Sequence, residues 1–185
     1  MRYTSLLQRL RVPIGFLFAA LYLFFAPSYA TPLTLIVGGV VALSGLLIRA
    51  WAAGHIVKNE ELAVTGPYAH SRNPLYFGSF LIAGGFAMIA HWSLLLLVVA
   101  LFGALYMPVI EREKRNVRKK FPDAYAEYER NVPSFVPRPV PWRRPAVTAD
   151  EGFSMDLYMR HREWRAALAF VGVIAFLVTR MRYRW

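Results

Sequence analysis

"NPLYFGSFLIAGGFAMIAHWSLLLLVVALFGALYMPVI", residues 73–110, contains no charged side chain and is interrupted only by His91-Trp92-Ser93. A helix needs about 20 apolar residues to cross a bilayer, and Leu75 to Ala90 and Trp92 to Ile110 are runs of that order. A joint this short turns the second helix back beside the first, so the stretch reads as a membrane hairpin. Pro74 suits the first turn of the first arm, where its missing N–H is no loss, and Asn73 before it suits the N-cap.

The pattern extends outward on both sides. Val12 to about Ala30 is a first apolar run, with Pro13 placed for a helix start. Leu33 to about Ala53 is a second, opened by Thr31 as candidate N-cap with Pro32 behind it. Arg49 lies near the end of that run, where a long cation can snorkel to the headgroups. A fifth run, Ala166 to Thr179, has only about 14 residues, a length at which a span, a re-entrant segment and a buried helix look alike. Composition agrees with the hairpin: the chain of 185 residues is 57% hydrophobic and 15% aromatic, with a mean hydropathy of +0.36. Such a chain is an all-α integral membrane protein, one unit rather than two domains. We therefore expect about five transmembrane segments (12–30, 33–53, 75–90, 92–110 and 166–179), the last either spanning or re-entrant. Regions 54–74 and 111–140 are expected in the cytoplasm. Residues 150–165, with Phe153, Leu157 and Trp164 among charges, read as an interfacial helix.

Charge placement orients these segments. Arg2, Arg9 and Arg11 precede the first run, and Arg49, Lys58 and Arg72 lie between the second and third. Arg112, Lys114, Arg115, Arg118, Lys119 and Lys120 follow the fourth, whereas residues 26–32 and 91–93 carry no charge. The positive-inside rule puts the N-terminus, the 54–74 loop and the region after Ile110 in the cytoplasm of a multi-pass protein. Arg180, Arg182 and Arg184 disagree, because a fifth span would place them outside; either the run is re-entrant or the rule is broken locally. Ser28-Tyr29-Ala30 after a basic, apolar start also resembles a signal-peptide cleavage site, although the stretch is long and aromatic enough to stay as a first span. The net charge of +11 does not indicate nucleic acid: "KRNVRKK" lies directly beyond a span, as a contact for anionic lipid does. With no cysteine, disulfides and thiolate catalysis are excluded. Four scattered histidines give no metal-ligand spacing, so no metal is expected, and His70 and His161 are expected to be solvated. Gly38-Gly39 and Gly84-Gly85 sit within spans, where small residues mean close helix packing. "VPSFVPRPVPWRRP" reads as an extended linker.

Just before the hairpin stands "GPYAHSRNPLYFG", residues 66–78, which cannot stay helical throughout. Gly66-Pro67 marks a turn, and the plain reading of Arg72-Asn73-Pro74 is a helix start at the membrane surface. The same geometry offers chemistry. A helix N-terminus presents free N–H groups and a positive dipole end, and Arg72 adds a planar cation, a combination suited to a carboxylate or phosphate. No Gly-x-Gly-x-x-Gly follows a strand, so a Rossmann-type cofactor domain is not expected.

"KNEELAVTGPYAHSRNPLYFGS" and, one hairpin later, "EREKRNVRKKFPDAYAEYERNVPSFVP" together resemble the integral-membrane methyltransferases of the isoprenylcysteine carboxyl methyltransferase and phospholipid methyltransferase family. The resemblance covers roughly residues 45–137. It implies S-adenosylmethionine as cofactor, S-adenosylhomocysteine as product and a lipid-like substrate entering from the bilayer. Carried over position by position, the first block supplies Gly66, Tyr68, Arg72, Asn73, Pro74, Tyr76 and Gly78, and the second Glu113, Phe121, Tyr125, Tyr128 and Pro137. His55 and Lys58 lie just upstream, where bacterial members often have similar residues. Arg72 and Glu113 are the expected catalytic residues. Cofactor contacts are expected from His55, Gly66, Tyr68, Asn73, Pro74, Tyr76, Gly78, Tyr125 and Tyr128. Three positions depart from the family pattern: Asn73 replaces the commoner histidine, Lys114 occupies the second acidic position, and Pro122 replaces a glycine. A methyl on a sulfonium is already electrophilic, so the enzyme's work is alignment and exclusion of water. A carboxylate acceptor needs no base and Arg72 could position it; an amine acceptor must lose a proton, for which Glu113 is the natural base. Arg72 and Lys114 favour a lipidic carboxylate, with a phospholipid amine close behind. Two other classes stay open, an NADPH-dependent sterol-reductase-like enzyme and a non-enzymatic membrane scaffold.

Overall fold

A computed structural model describes residues 20–26, 28–55, 62–143 and 152–183; Lys58, Pro13 and the first part of the first expected span, 12–19, lie outside these ranges. The described residues form an all-helical molecule with no strand among them. Helix α1 is described over 20–26 and 28–29. It is followed by α2 (Pro32–Ala53), a 3₁₀ turn at Gly66–Ala69, α3 (Pro74–Ala90), α4 (Leu94–Lys120), α5 (Pro122–Asn131), α6 (Met155–Arg160) and α7 (Trp164–Tyr183). By length and apolarity α2, α4 and α7 can each cross a membrane. At 17 residues, α3 extends only about 26 Å at 1.5 Å per residue.

Local signals account for most helix starts. Thr31 caps α2 in a reciprocal box: its hydroxyl accepts from the Thr34 amide while the Thr34 hydroxyl accepts from the Thr31 amide, and Pro32 follows. Thr31→Ala is expected to lower stability by about 1 kcal/mol, read as a fall in the detergent melting temperature; an unchanged midpoint would show that packing alone holds this end. Helices α3 and α5 likewise begin on prolines, Pro74 and Pro122. Asn73 occupies the N-cap position of α3 but does not cap it; its amide donates instead to the Ser134 carbonyl at 2.8 Å.

The helices alternate in direction. Gly38 and Gly45 of α2 face Gly85 and Gly78 of α3, so closely that a Cβ on Gly85 would lie 2.4 Å from the Gly38 carbonyl oxygen. This is the small-residue approach expected for helices in lipid, although Gly39 has open space and Gly84 touches only Leu95. Helix α4 returns along α3 through Phe80–Phe102 and Tyr76–Tyr106 edge contacts. Helix α7 starts beside the C-terminal end of α2 and runs back to its other end, where Leu177 is buried with Ala26, Ala30, Ile89 and Ala90.

Several expectations are corrected here. The helix of the fourth segment continues beyond the apolar run: α4 goes unbroken through Pro108 to Lys120, and cations in its last turn complement the helix dipole. The fifth run, for which the sequence leaves spanning and re-entrant paths both open, lies in a 20-residue helix long and apolar enough to cross a membrane, with Arg180 and Arg182 at the end opposite the loop at 62–74. Of the expected helix at 150–165, the described residues 152–165 are helical over Met155–Arg160 and again from Trp164, where α7 begins, with a turn between them in which Arg162 adopts φ 58°. Residues 132–142 are no free linker but a strap over 69–73: Pro133 O accepts from the Arg72 amide, Phe135 O from the Ser71 hydroxyl, and the Arg138 and Trp142 amides donate to His70 O and Ala69 O. His70 and His161 are not simply solvated; their Nδ1 atoms sit 2.8 Å from the Arg138 and Leu157 carbonyls. Arg49 does not snorkel either, being engaged with Glu163 and with α3.

Candidate active site

The strap and the start of α3 form one side of a cavity of about 440 Å³, within the range of small-molecule sites. Its other walls come from the charged second half of α4, from α5 and from residues 62–63. The two motif blocks meet there because α3 and α4 are arms of one hairpin: the first residues of α3 and the last two turns of α4 emerge at the same end. The amphipathic face of α5, with Tyr125 and Tyr128 buried and Val132 following, closes the cavity from the side.

Eight of the expected residues line this space: Tyr68, Arg72, Asn73, Pro74, Tyr76, Glu113, Tyr125 and Tyr128. Glu113 accepts a hydrogen bond from the Tyr76 hydroxyl at 2.9 Å. The Arg72 guanidinium donates to Glu129 at 2.7 Å and to the Tyr125 hydroxyl at 3.1 Å. The Tyr128 hydroxyl is engaged inside the protein, donating to the Tyr68 carbonyl at 2.7 Å, so it fixes the 3₁₀ turn. His55, Gly66 and Gly78 are not brought to the cavity. His55 packs against Gly66, whose φ of +55° and lack of a Cβ leave room for the imidazole. Gly78 packs against Gly45 and the Arg49 stem. Phe121 lines the cavity as the residue between α4 and α5.

Glu129 was not anticipated. One of its oxygens accepts from both Arg72 and Lys114, each at 2.7 Å, so the cation at the family's second acidic position is matched by an acid delivered from α5. The signal was present but faint: Glu129 follows Tyr125 by one helical turn and so shares its face. The hydrogen bond from Lys114 and then that from Arg72 hold the Glu129 carboxyl below its usual range, against the effect of burial. Burial alone would lower Arg72, but its bonds to Glu129 and Tyr125 outweigh that and keep the guanidinium firmly charged.

Two buried polar atoms at the cavity have no hydrogen-bond partner, the Tyr68 hydroxyl and Arg72 Nε. Burial first, then the charges of Glu113 and Glu163, push the Tyr68 hydroxyl far above its ordinary range, so it stays a neutral donor. Orphaned donors beside an α3 N-terminus without a side-chain cap suit a ligand that brings acceptors.

Residues 28–124, more than half of the chain, match the phospholipid methyltransferase family. The chain belongs to that family. The matched span runs from the end of α1 to the start of α5, so it contains Arg72, Tyr76 and Glu113, while Tyr125, Tyr128 and Glu129 lie just beyond it. Among curated proteins, the cobalt-zinc-cadmium resistance protein CzcN of Cupriavidus metallidurans is 34% identical over 114 residues, 60% of this chain and 52% of that one. The nickel-cobalt-cadmium resistance protein NccN of Alcaligenes xylosoxydans xylosoxydans is 37% identical over 93 residues, 49% of this chain and 43% of that one. The chain thus spans about half the length of the curated relatives it matches. No solved structure matches it.

Proposed function

We propose that the cavity binds S-adenosylmethionine and that the protein transfers its methyl group to the carboxylate of a lipid-like molecule, at the cytoplasmic face of the membrane. The observation that carries this reading is the mixed charge of one cavity, lined by the Glu113 carboxylate bonded to Tyr76 and by Arg72, Lys114 and the uncapped start of α3. A zwitterionic amino-acid moiety matches that mixture of charge, its ammonium paired with Glu113 and its carboxylate with the N–H groups and cations. The orphaned Tyr68 hydroxyl and Arg72 Nε supply further donors. When bound, the cofactor provides an electrophilic methyl on a sulfonium. The chain's own residues hold, orient and keep water out, and an ionised acceptor carboxylate needs no proton removed.

A second reading is methylation of a phospholipid amine, which the family's description favours and for which Glu113 would take the proton. The two relatives are named for resistance to metals. Among the described residues no three or more His, Cys, Asp or Glu side chains are grouped to hold a metal ion.

Calorimetric titration of the detergent-solubilised protein with S-adenosylhomocysteine is expected to show saturable binding. Glu113→Gln should weaken it about tenfold, the effect of one charge-assisted hydrogen bond. Absence of binding by a folded sample, in detergent and in nanodiscs, would remove the reading. Incubation with labelled cofactor and lipid extract then separates the acceptors: a carboxyl ester loses its label in alkali and an N-methyl group keeps it.

A further inference from the structure

Behind the cavity, on the side away from the proposed ligand, lies a second cluster of charge. Arg49, in the last turns of α2, forks onto Glu163: Nε donates to Oε2 at 3.0 Å and Nη2 to Oε1 at 2.6 Å. Both side chains are largely withdrawn from solvent, at 24% and 12% exposure. The remaining arm, Nη1, turns to α3, donating to the Leu75 carbonyl at 3.3 Å and to the Ser79 hydroxyl. Ser79 itself donates to the Leu75 carbonyl at 2.9 Å. One guanidinium thus joins three elements: the end of α2, the first turn of α3 and the turn that starts α7.

Three further observations show that the structure is built around this fork. A Cβ on Gly78 would lie 2.6 Å from Arg49 Cγ, so the motif glycine is the slot through which the arginine stem passes. Glu163 follows Arg162, whose φ of 58° is a conformation that a non-glycine residue adopts at a cost. The same turn is tied to α2 a second time by His161 Nδ1 at 3.2 Å from the Ala53 carbonyl. The turn clamped by Arg49 is the one that supplies Pro74, Leu75 and Tyr76 to the cavity. Tyr68, on the cavity wall, feels the charges of both Arg49 and Glu163.

We infer that Arg49, paired with Glu163 and admitted by Gly78, is a positioning residue that latches the first turn of α3 and so holds one wall of the cavity in place. Arg49 itself is not among the residues lining the cavity. A partly buried guanidinium with its fork satisfied holds a fixed geometry that lysine, a single point charge, cannot reproduce. Removing one partner of such a pair leaves the other uncompensated, so the turn would loosen rather than settle elsewhere. The consequence for ligand binding rests on the cofactor reading above; the latch itself does not.

The test is hydrogen exchange, read by mass spectrometry on the full chain in nanodiscs, together with S-adenosylhomocysteine titration. Arg49→Met should speed exchange of the α3 amides at 77–81 at least tenfold while leaving 84–90 unchanged, and should weaken the titrated affinity at least fivefold. Arg49→Lys should fall between Arg49→Met and the native protein. Ser79→Ala, which removes one hydroxyl and is the variant safest for folding, should speed exchange at 77–81 by a smaller factor. Unchanged exchange at 77–81, or an equal rise along all of α3, would overturn the latch. Local opening with unaltered affinity would overturn its positioning role. Should the native protein not bind S-adenosylhomocysteine, the cofactor reading falls, and the exchange pattern still decides the latch.

Discussion

Arg72→Ala is expected to reduce methyl transfer at least about a hundredfold in a protein that remains folded. The size follows from removing a preorganised cationic donor from a cavity wall, a change that costs roughly 10²–10³ in rate. Folding should survive for reasons visible around the residue. The Arg72 backbone is held independently, its amide donating to Pro133 O at 2.9 Å. Glu129, the carboxylate it leaves, keeps its bond to Lys114, so no buried charge is stranded. The lost groups are those at the cavity: the arm shared with Glu129 and Tyr125, and the unpartnered Nε. Arg72→Lys should recover only a small part of the activity, since an ammonium cannot present the fork. Labelled methyl transfer to lipid extract, measured beside the melting temperature, checks this. An alanine variant that keeps half of the native rate would reduce Arg72 to a wall residue.

Gly85→Ala is expected to lower the melting temperature sharply and to abolish S-adenosylhomocysteine binding, although Gly85 is remote from the cavity. Its new Cβ would lie 2.4 Å from the Gly38 carbonyl oxygen, 2.5 Å from the Ala42 nitrogen and 2.8 Å from the Ala42 Cβ. Two of these are backbone atoms of a helix, which cannot rotate away, so α2 and α3 must separate. Overpacking of this kind costs roughly 1–3 kcal/mol. Because α2 carries Arg49 and α3 carries the cavity wall, the separation reaches the ligand. Gly39→Ala is the contrast: nothing lies within 4 Å of its Cβ position, and alanine favours a helix over glycine by about 1 kcal/mol. It should leave binding intact and stability equal or higher. Equal effects of the two substitutions would show that the α2–α3 contact does not depend on the close approach at Gly85.

The sequence alone determined the solvent and the scaffold. Long uncharged runs must be helices in lipid, since no other isolated segment satisfies its backbone there. A three-residue joint at His91-Trp92-Ser93 must return the chain, and that return is why the motif residues Arg72, Tyr76 and Glu113 could be read as neighbours. The caps were legible where the signal is local, as at Thr31. Asn73 was misread because its amide goes to Ser134, some 61 residues away in the chain, and no local rule sees such a partner.

What only the tertiary structure decided are the relations between residues that share no period or motif. Glu129 reaches Arg72 and Lys114 of the cavity lining because α5 packs beside the end of α4. His55 and Gly66 pair with each other rather than with the cavity because a left-handed glycine leaves a space that the imidazole fills. Arg49 and Glu163, 114 positions apart, form one ion pair because α7 starts beside the end of α2. Hydropathy and helix periodicity report which face of a segment is apolar. The partner of a buried charge is set by how faces pack at distances of a few ångströms, which is a property of the assembled helices and not of any one of them.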